Sequence, residues 1–236
     1  LKGTRQLFSD HGHRIREFIA FDGQSCRCVD RAVGSKRYRV EIDTEGGHSY
    51  AAFGNKNAIA YLADMIGRLY AIQVPEGGKT TYNVGTISGG TSVNTIAQHA
   101  EMLYEYRSDD RRSLQIMEQQ FNAIAASFRE MGVRVTVTTV GDRPCSGDVD
   151  PGKMDALRQR ASDATLRCHG RTLKYASGST DCNIPLSLGV PAVCVGCYEG
   201  KGSHTREEYV LIDSLLPGMR FAFDMILGYF EERKER

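Results

Sequence analysis

Residues Arg111–Val140 read RRSLQIMEQQFNAIAASFREMGVRVTVTTV. Leu114, Met117, Phe121, Ile124, Phe128 and Met131 step by three and four, which predicts one apolar stripe on a helix from Arg111 to about Met131. Gly132 stands where a helix ends on a left-handed residue. Beyond it Val133–Val140 reads as a strand.

The same reading extends outward from this block. Arg37–Asp43 alternates, with Tyr38, Val40 and Ile42 on one face. The loop GGHSYAAFGNK leads to a helix entered near Asn55–Asn57, where an Asn side chain can cap free N–H groups. Ile59, Leu62, Ile66 and Leu69 make its stripe. Thr80–Ser88 and Val93–Arg107, the second with a bend, are extended. Arg37–Val140 therefore spells β-α-β-β-α-β, a ferredoxin-like split βαβ pattern, which by itself implies no function. On its N-terminal side lie a helix at Thr4–Asp10 and a buried strand at Arg16–Asp22. On its C-terminal side, GDRPCSGDVDPGK reads as a linker. It is followed by a helix at Lys153–Ala164, a strand at Ala192–Gly196 and a last helix capped by Asp213, with Leu215, Met219, Phe223, Ile226 and Phe230 toward the core. The two flanks are too short to stand alone and read as one α/β domain interrupted by the middle module. The expected partition is 1–34 and 144–236 for that domain, and 35–143 for the insert.

The chain has 236 residues, 30 of them basic and 29 acidic. That balance leaves no electrostatic footprint for nucleic acid or an anionic membrane. No apolar run approaches a membrane span, and LKGTRQLFSDHGHR lacks the apolar core of a signal peptide. A cytoplasmic protein with reduced thiols is the expectation, since seven Cys are scattered without framework spacing. The chain opens mid-pattern without Met, and an upstream segment is expected.

Several residues carry candidate chemistry. Asp22 closes a strand before Gly23, and ligands of open α/β sheets collect at strand carboxyl ends; the bland alternative is a turn Asp. His204 lies in a Gly-rich loop after an apolar strand, as a metal ligand or a packed loop imidazole. His48 follows two glycines on a small loop, as a polar contact or a helix-entry residue. Asn94, in GGTSVNT, sits where glycines permit close backbone approach, or in a simple bulge. Arg107 ends a strand and could clamp a carboxylate with two parallel bonds, or could be a solvated charge near Asp109 or Asp110. Gly178, Ser179 and Thr180, in SGSTDCN, offer hydroxyls and N–H groups for a carboxylate or oxyanion, or a helix cap. The Cys194/Cys197 CxxC has neither a following helix nor a second CxxC to support a redox or zinc role. His11, His13, His99 and His169 show no partner spacing.

Three runs together resemble the dinuclear zinc exopeptidase and deacylase family. GGHSYAAFGNKNAIAYLADMIGRL resembles the start of that family's lid domain, and GGTSVNTIAQHAEMLYEYRSDD its central lid strands. SGSTDCNIPLSLGVPAVCVGCYEGKGSHTREEYV is similar to its last catalytic segment. The resemblance covers essentially the whole chain. It implies an α/β catalytic domain interrupted by a ferredoxin-like lid that forms a homodimer, and hydrolysis of an amide bond in a small peptide or N-acyl amino acid. Two zinc ions per site are implied, with cobalt or manganese as alternatives. Carried over by position, Asp22 matches a carboxylate ligand of one zinc and His204 the imidazole ligand of the other. His48 matches the lid histidine that stabilises the oxyanion in the partner's site. Asn94 and Arg107 match substrate-holding lid positions, and Gly178, Ser179 and Thr180 the loop lining the pocket. The family's HxD motif, bridging Asp and Glu-Glu pair would all precede Leu1, so this chain alone is expected to be inactive. The competing reading is a non-catalytic dimerising or small-molecule-binding module of the same descent.

Overall fold

The computed structural model describes residues 1–231. They fall into two compact units, residues 1–33 with 146–231, and Gly34–Cys145.

The first unit begins with α1 (Lys2–His11), β1 (Phe18–Ser25) and β2 (Arg27–Ala32). The second unit then runs β3 (Gly34–Asp43), β4 (Gly47–His48), α2 (Ala58–Tyr70), β5 (Thr80–Gly89), β6 (Thr95–Ile96), β7 (His99–Ser108), α3 (Arg111–Glu130) and β8 (Arg134–Arg143). The chain returns to the first unit with α4 (Pro151–His169), β9 (Lys174–Gly178), α5 (Asn183–Ser187), β10 (Ala192–Gly196), β11 (Gly200–Lys201), β12 (Tyr209–Val210) and α6 (Leu215–Glu231).

In the second unit the four long strands form one antiparallel sheet, β5-β7-β3-β8. The inward positions Tyr38, Val40, Ile42, Met102, Tyr104 and Tyr106 pack with Leu62, Met65 and Leu69 of α2 and Met117, Phe121 and Phe128 of α3. Phe121 lies stacked on Tyr38, centroids 4.5 Å apart, and on Tyr104 at 5.5 Å. The helix ends follow their sequence signals. Asn57 accepts bonds from Ile59 and Ala60 N–H, and Asp110 caps α3 through Ser113 N–H. Gly132, at φ 71°, closes α3 with its N–H on Arg129 O and Val133 N–H on Phe128 O, the paired bonds of a Schellman stop.

The first unit carries a mixed sheet, β1-β10-β2-β9, with β1 parallel to β10, β2 parallel to β9, and the two pairs antiparallel to each other. Val193, Cys194 and Val195 form its centre with Cys28, Leu157, Ala161, Phe221 and Met225.

Three expectations change. The last helix exists, but its buried face is Phe221 and Met225, which pack toward α4. Leu215, Met219, Phe223, Ile226 and Phe230, expected in the core, are 45–64% exposed. A helix apolar on several sides cannot be phased by period alone. In α2 the buried set is Ala58, Leu62, Met65 and Leu69, and Ile59 is exposed. Two strands of the first unit's four-stranded sheet escaped notice. β2 (RCVDRA) is interrupted by charges, and β9 (KYASG) runs straight into the loop that the sequence marks.

Candidate functional site

Asp22 sits in a break of register. β1 pairs with β10 up to Phe21↔Val195 and resumes at Ser25↔Gly196, so Asp22, Gly23 and Gln24 bulge from the ladder. Bulges re-aim side chains next to functional sites, and the Asp22 carboxylate is exposed. The same bulge holds the segment leading to His204. Cys197 N–H bonds to Gly23 O at 3.0 Å and Ser25 N–H to Tyr198 O at 2.7 Å. The Gln24 side chain then grips Gly200 from both sides: its Nε2 donates to Gly200 O at 2.8 Å and its Oε1 accepts from Gly200 N–H at 3.1 Å. Gly200 opens the β11–β12 hairpin, whose loop carries His204. His204 is exposed, has φ 68°, and is steadied by its N–H on Glu208 Oε2 at 3.2 Å. Non-Gly residues are uncommon in that region, and His is among those that enter it more readily. Gln24 was not legible beforehand, because its partner lies 176 residues away and only backbone atoms receive it.

The SGSTD loop reaches the same sheet. Thr180 Oγ1 accepts from Cys182 N–H, and Asn183 Oδ1 accepts from Thr180 N–H at 2.8 Å. Asn183, fully buried, donates to Val33 O at 2.9 Å and so anchors the loop from below. Thr4 Oγ1 donates to Asp181 Oδ1 at 2.8 Å. Ser179 is half-buried, and Gly178 ends β9 against Val29. Burial first, then the Asp22 and Asp181 charges, push the Cys194 thiol up to about 11 against a Thr180 hydrogen bond that lowers it. Its Sγ lies 3.7 Å from Asp22 O. Cys194 thus marks the place where the Asp22 bulge and the Thr180 loop meet. Burial also raises Cys197 to about 11. A redox pair needs lowered thiols, and neither thiol is lowered here.

In the second unit the structure brings His48 and Asn94 together. β4 and β6 pair His48 with Thr95, and Ser49 N–H donates to Asn94 O at 2.9 Å. Gly46 and Gly47 have φ 60° and 135°, and a Cβ on Gly47 would come within 2.7 Å of Ala52. The His48 Nδ1 accepts from Tyr50 N–H at 3.2 Å and Ala51 N–H at 3.4 Å. An accepting ring nitrogen carries no proton, so the proton of the neutral ring is on Nε2. The outward face of His48 is a hydrogen-bond donor, as an oxyanion requires. Around it Tyr50 and Phe53 are each 90% exposed. Nothing in the sequence separated these two rings from core aromatics.

Arg107 is not part of that pair. It lies eight residues along β7 from His99, roughly 26 Å at strand rise, while His48 and Asn94 neighbour the His99 end. Its guanidinium makes two parallel bonds to Glu105, 2.9 and 3.0 Å, and Arg37 adds a third at 3.0 Å. The clamp geometry is present, but its carboxylate belongs to this chain, and the expected partners Asp109 and Asp110 are not the ones it uses. Asp109 instead accepts from Lys79 N–H and Asp110 caps α3.

Asp22 and His204 have oxygen and imidazole donors suited to a divalent metal. Among the described residues no third ligating group joins either to make a closed set; the one threefold cluster is Glu41, His99 and Glu101 on the outer sheet face. His99, without partner spacing in the sequence, bonds to Asp43 at 2.9 Å.

Residues 32–130 match the family model described as a peptidase dimerisation domain. Over that stretch the chain carries an M20 peptidase dimerisation domain. A Mycobacterium tuberculosis protein carrying the name succinyl-diaminopimelate desuccinylase, DapE, is 24% identical over 80% of this chain and 52% of its own length. An N-acetyldiaminopimelate deacetylase of Bacillus pumilus is 28% identical over 42% of this chain and 27% of its own. Among solved structures, this chain resembles a tripeptidase from Staphylococcus aureus, with TM-score 0.73 and 22% identity, over 89% of this chain and 56% of that one. It is also similar to aminopeptidase PepT from Bacillus cereus, with TM-score 0.69 and 23% identity over the same shares. The chain spans about half the length of the curated relatives M. tuberculosis DapE and Bacillus subtilis YqjE. No helix among the described residues is long and apolar enough to cross a membrane.

Proposed function

We propose that this chain is the lid and the C-terminal share of the catalytic domain of a zinc-dependent hydrolase that cleaves an amide bond in a small peptide or N-acyl amino acid. One observation carries the reading: Gln24 ties the bulge bearing Asp22 to the hairpin bearing His204. Two candidate metal ligands 182 positions apart in sequence are thereby joined through one side chain. A metal bound there would polarise the scissile carbonyl and lower the pKa of a bound water. The residues of this chain would supply one carboxylate, one imidazole and the Thr180 loop. The remaining ligands and the base that takes the water's proton come, in this reading, from the rest of a longer polypeptide.

His48, with Asn94 beside it, donates through Nε2 to the oxyanion that forms as water attacks. In a homodimer built through the lid it would do so in the second copy's site. Arg107 stands outside the reading as long as Glu105 holds it. The test is expression of the gene with its native upstream sequence, followed by zinc analysis and assays on dipeptides and N-acyl amino acids. Zinc and turnover together support the reading; neither zinc nor turnover with either substrate class sinks it. The second reading, a dimerising module without catalysis, draws support from the match to a dimerisation domain at residues 32–130. It requires a self-associating protein without zinc or hydrolysis in the same assays.

A further inference from the structure

A second concave site lies in the first unit where β1 turns into β2 and β9 begins. Ser25, Cys26, Arg27, Arg171, Thr172 and Lys174 line a cavity of about 740 Å³, within the range of small-ligand pockets. Arg27 and Lys174 are register partners in the parallel β2–β9 ladder. Register partners project to the same face, and like charges there destabilise a sheet. Arg171 brings a third cation. Glu199 is committed to Arg171 in an ion pair, and neither Arg27 nor Lys174 has an acidic partner among the described residues. Cys26, at φ 61°, makes the tight turn between Ser25 and Arg27, and its carbonyl is bonded by Lys174 N–H at 2.9 Å, which fixes β9 to that turn.

We propose that this cavity binds a small dianion, phosphate or dicarboxylate in chemistry, held by Arg27 and Lys174. A dianion relieves the repulsion between two neighbouring cations and gains charge-assisted hydrogen bonds from both. The site would take its ligand without bond making or breaking. It is independent of the proposed hydrolysis, since none of the residues assigned to that chemistry line it.

The test is a titration of the chain, followed by amide chemical shifts and by calorimetry, with inorganic phosphate and with succinate in separate arms and sodium chloride at matched ionic strength as control. Saturable 1:1 binding of either dianion, with the largest shifts at Ser25, Cys26 and Thr172, is the expected result, and the tighter arm names the ligand type. Arg27→Gln and Lys174→Gln should each weaken it about tenfold, the usual worth of one charged hydrogen bond, while Lys79→Gln in the other unit leaves it unchanged. Shifts that do not saturate, that chloride reproduces, or that Lys79→Gln weakens equally would overturn the site. The wild-type shift map stands as a test even if a substituted chain fails to fold.

Discussion

Gln24 and Gly200 hold each other by two hydrogen bonds, Nε2 to the carbonyl and N–H to Oε1. The side chain behaves as one more rung of β-ladder, continuing the Gln24↔Tyr198 bridge. Gln24→Ala removes both bonds and leaves the two backbone groups of Gly200 without partners. A net loss of roughly 1–3 kcal/mol follows. Hydrogen exchange should quicken at Gly200 and Leu211 and remain slow in β3. Equal protection in the variant would show that the backbone bonds of Cys197 and Ser25 suffice to hold the hairpin.

Close approach makes Gly196 a second fixed point. A Cβ there would lie 1.7 Å from Gln24 O. That is backbone, which cannot rotate away. Gly196→Ala should therefore displace the Asp22 bulge and cost about 1–3 kcal/mol or more. Gly67→Ala, where open space surrounds the position, is the matched control and should be neutral or stabilising. Denaturant unfolding of both variants measures this, and equal midpoints would contradict the packing.

How much of this was legible beforehand differs between the units. In the second unit, local signals agreed with the fold: Asn57 caps α2, Gly132 ends α3, and Tyr38, Val40 and Ile42 alternate inward. Each depends on residues a few positions apart. In the first unit the decisive contacts are long-range. β2 pairs with β9, Gln24 with Gly200, and Asn183 with Val33. A sequence read locally contains no trace of such pairings. The α6 stripe failed for another reason, because apolar residues occupy more than one of its faces and only packing selects Phe221 and Met225. Resemblance to a family gave Asp22, His204 and His48 their expected roles, whereas the residues alone left each with a bland alternative.

His48 offers a spectroscopic prediction. With Nδ1 accepting two backbone N–H bonds, the neutral ring should be the Nε2–H tautomer. Nitrogen-15 correlation spectra at pH 8 should show Nδ1 as the unprotonated nitrogen. A proton on Nδ1 would turn its two contacts into clashes of donor with donor and would remove the argument for His48 as an outward donor.

Glu105 sets an acid limit on the second unit. Burial works against its ionisation, but the Arg107 hydrogen bond and charge, joined by Arg37, outweigh it and hold the carboxyl below the usual 4.5. A depressed folded pKa gives stability that is present above the unfolded value and is lost as pH falls through the folded one. The loss should therefore begin below about pH 4.5. Glu105→Gln should lower stability at pH 7 by on the order of 1 kcal/mol and flatten the acid limb of the unfolding curve. An unchanged limb would show that the Arg37–Glu105–Arg107 cluster contributes nothing to folding.

The central claim is that Asp22 and His204 are metal ligands of one hydrolytic site. Metal content by mass spectrometry on the protein expressed with its native upstream sequence, as wild type, Asp22→Asn and His204→Ala, tests it most directly. The account predicts two zinc ions per chain in the wild type, a loss of about one in each variant as a ligand is removed, and loss of amide hydrolysis with it. Full zinc occupancy in both variants, or a wild type that hydrolyses its substrate after complete metal removal, would contradict it.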